Sequence, residues 1–147
     1  MNKPAFVYVT YIQTTPEKVW EAIVKPEFTR QYWGGKANVS DWKQGSKWEH
    51  VATEDTDGAC CVAGKVVESI PPKRLVLTWA DPDHPDDTST VSLDIEKMED
   101  MVRLTVSHGE FKADSVMAGK VSFGWPLVLS SMKSYLETGK AIDISKA

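Results

Sequence analysis

The chain of 147 residues carries 17 basic and 21 acidic side chains, a net charge of -4, with 41% apolar residues. Without a Lys/Arg cluster it lacks the electrostatic footprint of a nucleic-acid or anionic-membrane binder, so neither is expected as a partner. About 68–70% of the unfolded surface can be buried at this length, enough for one core without staples, and residues 1–147 are expected to form a single domain.

The run Ala5 to Ile12 is broken by Tyr8, Thr10 and Tyr11, which suits neither a signal peptide nor a membrane span, so the cytoplasm is the expected compartment. Phe6 to Gln13 mixes aromatic and β-branched residues and reads as a strand. Thr14-Thr15-Pro16-Glu17 is a helix start, followed by the apolar stripe Val19, Trp20, Ile23 and Val24. Pro26 ends that helix and opens a second through Phe28, Tyr32 and Trp33, which Gly34-Gly35 terminates.

From Lys36 the period changes to two. Lys36 to Asp41, Ser46 to Thr53, Ala59 to Ile70, Arg74 to Ala80, Thr88 to Lys97 and Met101 to His108 read as strands separated by turn residues, and such short links favour antiparallel neighbours. Alternation predicts Trp48 and His50, then Val91, Leu93 and Ile95, then Leu104, Val106 and His108 on the inward face. Cys60 and Cys61 adjoin on one strand, where their side chains would leave opposite faces, so two reduced thiols are expected. Asp55 to Gly58 reads as a hairpin turn.

Asp114 to Leu136 is the long helix. Trp125, Val128, Leu129, Met132, Tyr135 and Leu136 share one face, while Ser130, Ser131, Lys133, Ser134 and Glu137 take the wet one. Pro126 is expected to kink a helix that begins near Ser115, Gly139 to cap its end, and residues 140–147 to form a flexible tail.

Thr15-Pro16-Glu17-Lys18-Val19-Trp20-Glu21-Ala22, Tyr32-Trp33-Gly34, Ser40-Asp41-Trp42-Lys43-Gln44-Gly45-Ser46-Lys47-Trp48, Pro71-Pro72-Lys73-Arg74-Leu75, and Gly124-Trp125-Pro126 through Leu136-Glu137-Thr138-Gly139 span nearly the whole chain. In that order they resemble the activator of heat-shock protein ninety ATPase homologue-like family of the START-like (SRPBCC) superfamily. The resemblance implies an α+β helix-grip fold, also called Bet v-like: a curved antiparallel sheet wrapped around a long C-terminal helix, with two short helices after the first strand. It also implies a hydrophobic small molecule held between sheet and helix. The founding cochaperone resembles this chain only in its C-terminal domain.

Of the six tryptophans, Trp20 and Trp79 read as packing, whereas Trp48 and Trp125 suit either the core or a cavity wall. His50 and His108 read either as buried, hydrogen-bonded imidazoles or as a ligand anchor or general acid/base. His84 lies among Asp81, Asp83, Asp86 and Asp87, but no ligand spacing is fixed and no metal is expected. No G-x-S-x-G, P-loop or dinucleotide fingerprint occurs, so no cofactor is called for.

The leading expectation is a binding module for a flat, largely apolar aromatic molecule of the polyketide or flavonoid type. Its candidate contacts are Tyr32, Trp33, Trp48, His50, Val62, Leu93, Val106, His108, Trp125, Leu129 and Met132. Cys60 is the expected place to fill the cavity by substitution. The alternatives are a polyketide cyclase or dehydratase working through His50 or His108, and a cochaperone-like module with a protein partner.

Overall fold

The computed structural model describes residues 4–52 and 60–144. Among these the order is β1 (Pro4–Ile12), α1 (Pro16–Val24), α2 (Pro26–Tyr32), β2 (Lys36–Ser40), β3 (Lys47–Ala52), β4 (Cys60–Ile70), β5 (Arg74–Trp79), β6 (Ser89–Met98), β7 (Met101–Gly109) and α3 (Val116–Thr138). The strands form one antiparallel sheet in the order β1-β7-β6-β5-β4-β3-β2. Every expected strand and helix is present, with ends displaced by a residue or two. The expected hairpin turn at Asp55 to Gly58 lies outside the described residues.

Thr15 caps α1 by accepting the Lys18 N–H at its Oγ1, 3.3 Å away. The other end of α1 has no basic residue in its last turn, and side chains distant in sequence satisfy its carbonyls. Tyr32 donates its hydroxyl to Ala22 O at 2.7 Å, Asn38 its amide to Ile23 O at 3.0 Å, and Trp42 its indole N–H to Val24 O at 2.9 Å. Burial raises the Tyr32 phenol pKa well above its ordinary value, so it stays a donor.

The inward faces of β6 and β7 follow the expected alternation: Val91, Leu93, Ile95, Leu104, Val106 and His108 are all buried. Strand β2 departs from it. Ala37 is buried, but so is Asn38, 3% exposed, whereas the apolar Val39 is 46% exposed. The hydrogen bond to α1 draws the amide inward. Between β3 and β4 the register shifts: His50 pairs with Val62 but Val51 with Cys60, leaving Cys61 as an extra residue. At Gly64, opposite Trp48, a Cβ would run into the carbonyl oxygen of Thr78, the atom that accepts the Trp48 indole N–H at 2.8 Å.

Helix α3 packs Met117, Val121, Trp125, Val128, Leu129 and Met132 into the core. It starts after Ser115, as expected, because Asp114 takes a positive φ of 60° and Ser115 Oγ accepts the Ala118 N–H at 3.1 Å. Asp87 braces this end, accepting from Ser115 Oγ at 2.6 Å and from the Met117 N–H at 3.1 Å. Those two bonds hold its carboxyl pKa below the ordinary range. Pro126 lies inside a continuous helix, which ends at Gly139 with φ 83° and an N–H bonded to Tyr135 O at 2.9 Å.

One expectation for this region is corrected. Ser131, placed on the wet face by periodicity, is 0% exposed. Residues 141–144 lie against this part of the helix. Ser131 Oγ donates to Ile142 O at 2.9 Å and accepts the Ile142 N–H at 3.1 Å, while Ala141 and Ile144 pack against the core. Residues 145–147 lie outside the described ones.

Candidate functional site: a tryptophan-walled cavity beneath the first half of the long helix

Between the N-terminal half of α3 and the β3–β5 side of the sheet lies a cavity of about 320 Å³. Trp33, Trp79 and Trp125 form its aromatic wall, Val62, Val121 and Val128 its aliphatic wall, and Met117 and Gly124 line it from the helix. Lys36, Lys120, Asp81 and Cys61 border it, and His50 is the one imidazole in the lining. The indole of Trp125 sits edge-on to Trp33, centroids 5.5 Å apart, and 5.4 Å from Trp79, which in turn lies 5.3 Å from Trp48. These contacts fix large flat surfaces with few rotatable bonds.

The two inward histidines have opposite tautomers, and the partners dictate both. An indole N–H can only donate, so the 3.0 Å contact from Trp125 Nε1 makes His108 Nδ1 an acceptor. The His108 proton therefore sits on Nε2 and is donated to Ser89 Oγ at 2.8 Å. Both nitrogens are engaged, and burial lowers the pKa to about 4.

At His50 the logic reverses. The Asn38 amide nitrogen must donate to the Ile23 carbonyl, so its Oδ1 faces His50 Nδ1, 2.7 Å away, and the ring proton is on Nδ1. His50 Nε2 is then a lone pair, and among the described residues it has no hydrogen-bond partner. Burial, and then the charge of Lys36, lower the His50 pKa to about 3. The ring stacks obliquely on Trp33, centroids 4.6 Å apart. The cavity thus offers flat apolar walls and one oriented, neutral acceptor. In the same wall Trp79 carries a buried indole N–H with no partner among the described residues.

Of the candidate contacts read from sequence, Trp33, His50, Val62 and Trp125 meet at this cavity. Tyr32, Trp48, Leu93, Val106, His108, Leu129 and Met132 do not line it; they belong to the packed core, none more than 4% exposed. Trp79, read as packing alone, lines it, as does Cys61 rather than Cys60. The bulge explains the exchange: with an extra residue at Cys61, both Cys61 and Val62 reach the cavity. Lys36 was hidden by the irregular pattern of β2, whose polar positions would ordinarily face water. Asn38, which no sequence motif singles out as a site residue, is the residue that orients His50.

A larger groove, about 790 Å³, lies at the opposite end of β5 beside Pro16, Ile70, Arg74 and Asp94. Its Arg74 is already paired, at 2.6 Å with Asp94 and 3.4 Å with Glu68. Among the described residues no group of His, Cys, Asp and Glu could hold a metal ion, and no helix is long and apolar enough to cross a membrane. Asp86 pairs with Lys112 at 2.9 Å, so the acidic loop is spent on local contacts and on bracing α3.

A curved antiparallel sheet closed by a long C-terminal helix, with two short helices after the first strand, is the helix-grip architecture of START-like proteins. The chain belongs to the family of Activator of Hsp90 ATPase homolog 1-like proteins, whose model matches residues 13–137. No curated protein matches it significantly. Among solved structures it is similar to the Aha1 dimer from Colwellia psychrerythraea, at 20% identity and TM-score 0.72, covering 96% of this chain and 99% of that one. CalU16 from Micromonospora echinospora is 18% identical at TM-score 0.71, covering 95% and 78%. PFC0360w, an HSP90 activator from Plasmodium falciparum, is 19% identical at TM-score 0.68, covering 88% and 92%. At these identities the likeness is one of fold.

Proposed function

We propose that the protein binds a flat, largely apolar aromatic molecule of the polyketide or flavonoid type in the cavity under the first half of α3. The observation that carries this reading is a space of about 320 Å³ walled by three indoles, with the His50 Nε2 lone pair as oriented polar anchor. Its size falls within the range of small-molecule pockets, about 300–1,000 Å³. A phenol or enol hydroxyl would satisfy His50, while the indoles cover the ring faces. Trp33, His50, Val62, Trp79 and Trp125 are the contacts that this reading favours.

The enzymatic alternative has weaker support. His108 has no free nitrogen, and His50 is a poor base whose orienting partner is an amide rather than a carboxylate. A protein partner is the second reading. Val116 and Phe123, 69% and 65% exposed on the outer side of α3, are the apolar residues that would meet it.

The test is a melting scan with 2-naphthol and with a flavonoid such as naringenin, alongside tryptophan emission. A ligand at about a hundred times its Kd adds ~2.7 kcal/mol to the folded state, a shift such a scan resolves. Absence of both a melting shift and an emission change across a varied aromatic panel would move the weight to the protein partner.

A further inference from the structure

We infer that the cavity selects aromatic acids carrying a hydroxyl beside the carboxylate, with Lys36 as the residue that meets the carboxylate and His50 as the one that accepts the hydroxyl. The inference rests on the cavity reading above and names the chemical class of its ligand.

Lys36 opens the edge strand β2, two residues before the inward Asn38 and therefore on the same face, and it lines the cavity. Among the described residues the ion pairs engage Lys25, Arg74, Arg103, Lys112 and Lys133; Lys36 and Lys120, the two lysines of the cavity lining, are in none. Lys36 and His50 line the same cavity, so one ligand can meet both, and the Lys36 charge adds to burial in keeping that ring neutral. A ligand oxyanion in the cavity would give this ammonium a partner through a charge-assisted hydrogen bond.

His50 restricts which anion fits. Its Nε2 presents a lone pair, which repels a bare carboxylate and attracts an O–H. A hydroxyl on the ring carbon next to the carboxylate answers both groups at once: the hydroxyl donates to His50 and the carboxylate oxygen accepts from Lys36. Asp81 at the border opposes an anion, but the lining also carries Lys120, whose charge offsets it, and one Asp81 oxygen already accepts the Asp83 N–H at 2.8 Å.

The experiment is calorimetric titration of the intact protein with 3-hydroxy-2-naphthoate, its methyl ester and 2-naphthoate. The acid should bind about tenfold tighter than the ester, the scale of one charge-assisted hydrogen bond, and also tighter than 2-naphthoate. Lys36→Met should bring acid and ester within about twofold of each other; Lys120→Met should narrow the gap less. An ester that binds wild type as tightly as the acid overturns the inference and leaves the cavity reading standing, and this comparison needs no variant to fold. Persistence of the gap in Lys36→Met and in a second variant, Lys36→Gln, overturns the assignment to Lys36. Equal binding of 2-naphthoate and the hydroxy acid overturns the role given to His50. Failure of all three probes to bind overturns the cavity reading and the inference with it.

Discussion

The indole N–H of Trp125 donates to Nδ1 of His108 across 3.0 Å, tying the middle of α3 to the last strand of the sheet. Because His108 is 0% exposed and passes its own proton to Ser89, it is a structural link between helix and sheet. His108→Ala should destabilise the protein by about 3 kcal/mol, combining a void with a buried indole N–H left unpaired. Urea unfolding measures this, and a loss under about 1 kcal/mol would mean the link contributes little.

Acid should expose the same histidines. Both have folded-state pKa values below the ordinary 6.5, about 4 for His108 and about 3 for His50. Between those values and 6.5 the unfolded chain binds more protons than the folded one. Their contribution is therefore complete above pH 6.5 and is lost as pH falls towards 4 and 3. Each tenfold difference in proton affinity corresponds to ~1.4 kcal/mol, so the pair should withdraw several kcal/mol across that window. Denaturation midpoints measured from pH 7 to 4 should fall, and the slope should lessen in a folded His50→Gln variant.

Leu129, fully buried on α3, should cost about 2–5 kcal/mol as Leu129→Ala. Ser130→Ala, on the exposed face, should be nearly silent. Ser131→Ala should cost about 1 kcal/mol, because it breaks the reciprocal bonds to Ile142. Limited proteolysis near residue 142 should accelerate in the Ser131 variant and not in the Ser130 one.

Gly119 and Gly124 sit inside α3 where an added Cβ would meet nothing within 4 Å. Neither packing nor backbone angle requires glycine there. Gly119→Ala should therefore stabilise by about 0.5–1 kcal/mol. Gly124→Ala should stabilise similarly and, since Gly124 lines the cavity, slow ligand release by stiffening that wall. A stopped-flow displacement rate unchanged in Gly124→Ala would separate helix stiffness from exchange.

Filling the cavity should abolish binding. Cys61→Phe places a ring among Val62, Trp33 and Trp79, with an overpacking cost of about 1–3 kcal/mol. Aromatic probes should then cause neither a melting shift nor an emission change, whereas Cys60→Phe should leave binding in place.

Element order, the antiparallel sheet, and the buried face of α3 from Trp125 to Met132 were legible in the sequence, because period and turn chemistry are local properties that burial only reinforces. The cavity was not, apart from Trp33, His50, Val62 and Trp125. Three non-local events lie behind what periodicity misplaced. A carbonyl of α1 draws Asn38 inward and turns the face of β2, bringing Lys36 with it. The bulge at Cys61 resets the alternation of β4. The chain beyond Gly139 returns to cover Ser131, which periodicity alone placed on the wet face. Alternation placed His50 and His108 inward, but Asn38, Lys36 and Cys61 reach the interior through a side-chain hydrogen bond and a bulge that only the assembled tertiary structure could decide.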